Sequence, residues 1–95
     1  MRVRVRAVGL PDLVRRWGGD EIEADLGEGT VGELLGWLER THARPAGVEL
    51  LDPSGRLVPE VVMLLGDGEH LDRDDAGRRL GEGDRVTLVV VVAGG

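Results

Sequence analysis

The chain has no cysteine, lysine, phenylalanine or tyrosine among its 95 residues. Without cysteine there is no disulfide, no thiolate metal site and no cysteine nucleophile. Without lysine there is no Schiff-base chemistry, no lysine acylation and no isopeptide bond onto this chain's own side chains. All 12 basic residues are arginine. The aromatics are Trp17 and Trp37 alone, too few for the stacking platforms of single-strand binders. A net charge of -6 also opposes nucleic acid and favours a basic or neutral partner face. The longest apolar run, Val86 to Ala93 with Thr87 inside it, is far short of a membrane span. Arginine at every second position interrupts any apolar signal core at the start. The expectation is a cytoplasmic chain.

What is present suits one globular domain with one modest core: 41% hydrophobic and 32% charged residues. Met1 to Val8 alternates, with Met1, Val3, Val5 and Ala7 on one face and Arg2, Arg4 and Arg6 on the other. Period two predicts a half-buried strand. Glu21 to Leu26 alternates likewise, with Glu21, Glu23 and Asp25 opposite Ile22, Ala24 and Leu26. An antiparallel pair of these strands sets arginines across from carboxylates, which explains the arginines better than an anion site does. Between them, Leu10, Leu13, Val14 and Trp17 have helical spacing after Pro11, and Gly18-Gly19 stops the helix. Trp17 is expected to cover one end of the core.

Residues 27–32 read GEGTVG and match the dinucleotide fingerprint G-x-G-x-x-G between a strand and a helix. That motif needs a parallel βαβ unit in a larger sheet than this chain can build. A capping box explains the same residues with less: Thr30 caps the helix and Glu33 reaches back to the Thr30 amide. The helix runs from Val31 to about Thr41 on the stripe Val31, Leu34, Leu35 and Leu38, and Pro45 and Gly47 mark its end. Gly32 and Gly36 lower its propensity, so packing must hold it.

Asp52-Pro53-Ser54-Gly55 fits a type I turn between Val48–Leu51 and Leu57-Val58, predicting an irregular hairpin at an edge. Val61 to Leu65 reads as a strand, turned by Gly66-Asp67-Gly68 so that Glu69-His70-Leu71 pairs back. Asp72 to Leu80 has part of a calcium-loop spacing. Ala76 stands at a ligand position and Gly83 at the twelfth, so a solvated loop is expected and no metal site. His42 and His70 have no spacing that suggests a ligand pair or a catalytic pair. The last strand runs from Arg85 to Val92.

The order strand, strand, helix, strand, strand predicts an α+β β-grasp, a mixed sheet wrapped around one main helix. First and last strands then lie parallel in the middle, which suits the most hydrophobic strand. If Val86, Leu88 and Val90 face the helix, then Thr87, Val89 and Val91, with Val92 beyond, face outward. They are either partly covered or a docking patch. Beyond them the chain reads Ala93-Gly94-Gly95. Glycines without Cβ let a chain enter a space too narrow for other residues. The expectation is a single domain over residues 1–95 with a flexible tail at about 92–95.

These features resemble the ubiquitin-like sulfur carriers of the MoaD/ThiS type. An Arg-Val first strand, the helix start Thr30-Val31-Gly32-Glu33-Leu34-Leu35, the Gly66 to Glu69 turn, and Leu80-Gly81-Glu82-Gly83-Asp84-Arg85-Val86 all fit that pattern. The ending Val92-Ala93-Gly94-Gly95 is the most specific part. The family's frequent aromatics in the first and last strands are missing.

The resemblance implies chemistry at the Gly95 carboxylate. An E1-like adenylyltransferase of the MoeB/ThiF type adenylates it with ATP, and sulfur from a persulfide sulfurtransferase displaces AMP to leave a thiocarboxylate. Ala93, Gly94 and Gly95 then thread into a sulfur-accepting enzyme such as the molybdopterin synthase large subunit. The implied role is molybdopterin synthase small subunit, a protein substrate rather than an enzyme, with no cofactor of its own. Thiamine, cysteine or tRNA thiolation, or protein modification, are the alternatives within the family. An interaction domain without sulfur chemistry, or a nucleotide-binding enzyme using residues 27–32, are alternatives outside it.

Overall fold

The computed structural model describes residues 1–91. Five strands form one mixed sheet: β1 (Arg2–Val8), β2 (Glu21–Asp25), β3 (Val61–Leu65), β4 (Glu69–Leu71) and β5 (Arg85–Val90). Their order across the sheet is β2-β1-β5-β3-β4. β1 and β5 pair in parallel, and the other neighbours are antiparallel. This is the expected β-grasp, with β5 in the centre as expected, although β3 beside it, VVMLL, is the more uniformly apolar strand.

Alternation decides the faces. Val3, Val5 and Ala7 of β1 and Val86 and Leu88 of β5 are buried beneath the helices. Helix α1 (Pro11–Trp17) adds Leu13, and α2 (Val31–Leu38) adds Val31, Leu34, Leu35 and Leu38, the stripe the spacing predicted. Trp17 packs half-buried against this core, covering it as expected. The arginine ladder forms diagonally rather than straight across. Arg4 is in register with Glu23 but pairs with Glu21 at 3.8 Å, which Arg85 also approaches at 3.9 Å. Arg6 pairs with Asp20 at 3.4 Å.

The helical segment differs from expectation. It does not stop near Thr41 but continues through a π-helical turn (Glu39–Ala43) into α3 (Arg44–Ala46), ending at left-handed Gly47 with φ 73°. Proline inside an α-helix removes one hydrogen bond and crowds the carbonyl four residues back. The wider turn relieves that crowding. The Arg44 amide donates to Glu39 O, five residues back. The Thr41 carbonyl, which Pro45 cannot serve, instead accepts from the Arg16 guanidinium at 3.0 Å.

The segment after Gly47 also differs. Leu51 and Leu57 form one isolated bridge and no strand, so the hairpin does not join the sheet edge. Leu50, Leu57 and Val58 are buried instead, and core packing wins over strand pairing. The turn itself stands, with Gly55 N donating to Asp52 O at 2.9 Å. The loop from Asp72 is exposed along most of its length yet is stitched to the start of α2. Val31 N donates to Arg78 O at 2.9 Å, Gly32 N to Ala76 O at 2.8 Å, and Leu80 N to Gly29 O at 2.7 Å.

Candidate functional site

The start of α2 tests the nucleotide reading directly. A phosphate site there needs free amides pointing outward. Thr30 Oγ1 accepts from Glu33 N at 3.1 Å, as a capping box requires. The Glu33 carboxylate does not reach the Thr30 amide, which corrects that expectation. It accepts instead from Gly27 N at 2.7 Å and from Glu28 N and Gly29 N at 2.8 Å each. Three convergent amides make an anion nest, and this chain fills it with its own carboxylate. With Val31 N and Gly32 N already given to the 76–78 carbonyls, residues 27–29 and 31–33 have no amide to offer a phosphate.

Those bonds, the Gly27 amide first, hold the Glu33 carboxyl below its ordinary value of 4.5. The folded state therefore keeps the carboxylate charged at pH values where the unfolded chain takes up a proton. This contribution is complete above about 4.5 and is lost as the pH falls through the folded value. A Glu33→Gln chain should melt at lower temperature than wild type at neutral pH, and the gap should narrow toward about pH 3. Thermal melts across that range check it; a gap independent of pH sinks the assignment.

The expected partner face lies on the outer side of the sheet, away from the helices. Thr87 and Val89 on β5 are half-buried there, and Val91 is 49% exposed. Sheet register brings in neighbours that the spacing alone did not pick out. Val89 lies between Val8 on β1 and Val62 on β3, and Thr87 lies between Arg6 and Leu64, with His70 beyond Leu64. Val8 is 41% exposed. One end of the outer face is thus aliphatic, whereas the other carries the Arg4, Arg85 and Glu21 charges. Strand pairing held the missing signal: once β5 is placed between β1 and β3, Val8 and Val62 must flank Val89.

The aliphatic end is also where β5 leaves the sheet. The Val91 amide donates to Glu60 O at 2.8 Å. Beside it Gly9, at φ 76°, lets β1 turn into α1 against Val90; an added Cβ would stand 3.4 Å from Val90 Cβ. Val92 and the expected threading residues Ala93, Gly94 and Gly95 lie outside the described residues, and so does the site expected at Gly95.

Elsewhere, Asp52 and Glu69 are held in structural contacts. The Asp52 carboxylate accepts from Ser54 Oγ at 2.6 Å and from Ser54 N and Arg56 N, and it pairs with Arg73 at 3.1 Å. These bonds, the Ser54 hydroxyl first, hold its carboxyl below the usual range. Arg78 grips Glu69 with both terminal nitrogens and likewise lowers that carboxyl. Among the described residues no group of three or more His, Asp or Glu side chains could hold a metal ion. Nor, among the described residues, is any helix long and apolar enough to cross a membrane.

The ThiS family model matches residues 8–95. The structure is similar to SAMP1, the small archaeal modifier protein 1 of Haloferax volcanii. That match has 24% identity, covers 100% of both chains and has a TM-score of 0.76. It is also similar to CysO of Mycobacterium tuberculosis, at 26% identity over 95% of this chain and 99% of that one, with a TM-score of 0.68. The BexX/CysO complex of Amycolatopsis orientalis contains a chain 22% identical, covering 98% of this chain and 99% of that one at a TM-score of 0.55. A search of curated proteins finds no match.

Proposed function

The chain belongs to the ThiS family of ubiquitin-like sulfur carriers and modifiers, and from that premise we propose that its Gly95 carboxylate carries sulfur as a thiocarboxylate. The observation that supports this most is the aliphatic end of the outer sheet face, Val8, Val62, Val89 and Val91, set where β5 leads toward Val92-Ala93-Gly94-Gly95. A carrier needs such an arrangement, in which a partner grips the sheet while a tail without side chains enters its active site.

The reaction begins with a Gly95 carboxylate oxygen attacking the α-phosphate of ATP on an E1-like adenylyltransferase of the MoeB/ThiF type. Pyrophosphate leaves and an acyl-adenylate remains. A carboxylate resists nucleophiles until it has such a leaving group, and exclusion of water protects the adenylate. The terminal sulfur of a persulfide then attacks the carbonyl carbon and AMP departs. A second thiol cleaves the resulting S–S bond, leaving the thiocarboxylate on Gly95. Because the chain has no cysteine, no thiol of its own competes for the activated carbonyl. Thr87, Val89, Val91 and Val92 are the partner contacts, and Ala93, Gly94 and Gly95 the threaded segment.

The client we propose is the molybdopterin synthase large subunit, with the chain as its small, non-catalytic subunit in the cytoplasm. CysO in a complex with BexX supports partnership with another protein for a chain of this shape. The test is an intact mass after incubation with ATP, a sulfur donor and an activating enzyme. The expected result is a gain equal to sulfur replacing one oxygen, absent when Gly95 is deleted. No gain with any such enzyme leaves an interaction domain without sulfur chemistry.

A further inference from the structure

Every aromatic side chain of the protein converges on one histidine. Trp17 ends α1, Trp37 lies in the last turn of α2, and both meet the imidazole of His42 on the π-helical turn. The ring centroids are 5.8 Å apart at 87° for Trp17 and 4.9 Å apart at 66° for Trp37. Among the described residues, Trp17 Nε1, His42 Nδ1 and Glu39 Oε2 are buried without a hydrogen-bond partner. A neutral imidazole needs only one protonated nitrogen and can leave Nδ1 bare. An imidazolium carries protons on both, so one N–H would be buried with no acceptor.

Charge around the ring makes protonation harder still. From α1 the group that faces it is Arg16, whose guanidinium donates to the neighbouring Thr41 carbonyl at 3.0 Å. Asp12 and Arg15 on α1 pair with each other at 3.4 Å. The Glu33 carboxylate of α2 is held by the residue 27–29 amides. On the turn itself, the Arg40 guanidinium lies over Gly36, and Glu39 lines a cleft with Arg44 of α3 and Glu49 while keeping its Oε2 buried and without a hydrogen bond to His42. No carboxylate among the described residues forms an ion pair with His42.

We propose that the Trp17–His42–Trp37 cluster is a proton-sensitive clasp that holds α1 on the helical layer and releases it on acidification. Helix α1 is short and buries Leu13 alone completely, so its hold depends on few contacts. Burial first, and Arg16 second, place the His42 pKa below its ordinary 6.5. The closed clasp then binds fewer protons than the open one. Its opening constant is level above about pH 6.5 and rises about tenfold per unit below that, until the closed form itself protonates. Since α1 connects through Leu10 to Gly9, which packs on Val90, release reaches the strand that leads to the tail.

The test needs only the intact protein. Hydrogen exchange at the Val14, Gly18 and Gly19 amides, which bond within and just after α1, is measured from about pH 8 to about pH 5 and corrected for intrinsic rates. Protection should be level down to about pH 6.5 and then fall, by at most about tenfold per unit, while β1 and β5 amides stay protected. A His42→Gln chain should lose this dependence. Arg16→Gln, should the first variant not fold, should make the fall level off at higher pH. A flat wild-type profile, a decline unchanged in H42Q, or a plateau unmoved in R16Q overturns the clasp. None of these readouts involves sulfur, so the clasp stands or falls separately from the carrier reading.

Discussion

A Leu34→Ala chain is expected to lose about 3 kcal/mol of unfolding free energy and to melt roughly 15 °C lower. Leu34 is 0% exposed and lies between Gly32 and Gly36 on α2. Each glycine costs a helix interior about 1 kcal/mol relative to alanine. Little but the packed stripe therefore holds α2 on the sheet, and Leu34 stands in the middle of that stripe. Out of a total of about 5–15 kcal/mol for a domain of ordinary stability, the loss is large. Urea unfolding followed by tryptophan fluorescence measures it. A loss under about 1 kcal/mol would mean that the site collapses around the smaller side chain and that α2 is held by other means.

The second large effect belongs to the outer face. Val91→Asp should leave folding within about 0.5 kcal/mol of wild type, because the side chain is half exposed at the end of β5 and removes no core contact. Binding to the activating enzyme should weaken about 30-fold or more, as expected when a charge enters the centre of an apolar contact. Arg2→Gln, at the charged end of the same face, is the matched control and should change binding little. Titration calorimetry of both variants decides the matter. Equal weakening in both would move the contact to the charged end, and no weakening in either would leave the aliphatic end without a role.

Much of the architecture was legible because it rests on local rules. Alternation in Met1–Val8 and Glu21–Leu26, the stripe from Val31 to Leu38, and the Asp52–Gly55 turn each follow from neighbours in sequence. The places where the reading failed are those where a partner arrives from a distance. Glu33 could be seen to cap a helix, but the bend at residues 27–29 decides which amides it finds. Pro45 read as a stop signal. Arg16, 29 positions earlier, serves the carbonyl that proline cannot. His42 stood alone in the sequence, and α1 and α2 must be packed together before both indoles reach it. At the candidate site, β5 and its outward residues were legible, whereas Val8 and Val62 required the register between strands.

The position of β5 has a consequence for assembly of the protein. Until residues 85–90 arrive, the sheet exists only as two separate hairpin-like halves, β1 with β2 and β3 with β4. The inner edges of both halves present unpaired backbone, and Val5, Ala7 and Met63 have no central strand beside them. Joining the halves requires contacts between residues about eighty positions apart, such as Val5 with Val86. The loop entropy of that closure must be overcome before the contacts stabilise anything. A nascent chain is therefore held short of its native state until β5 is free of the ribosome. The strand that precedes residues 92–95 is thus the strand that completes the sheet.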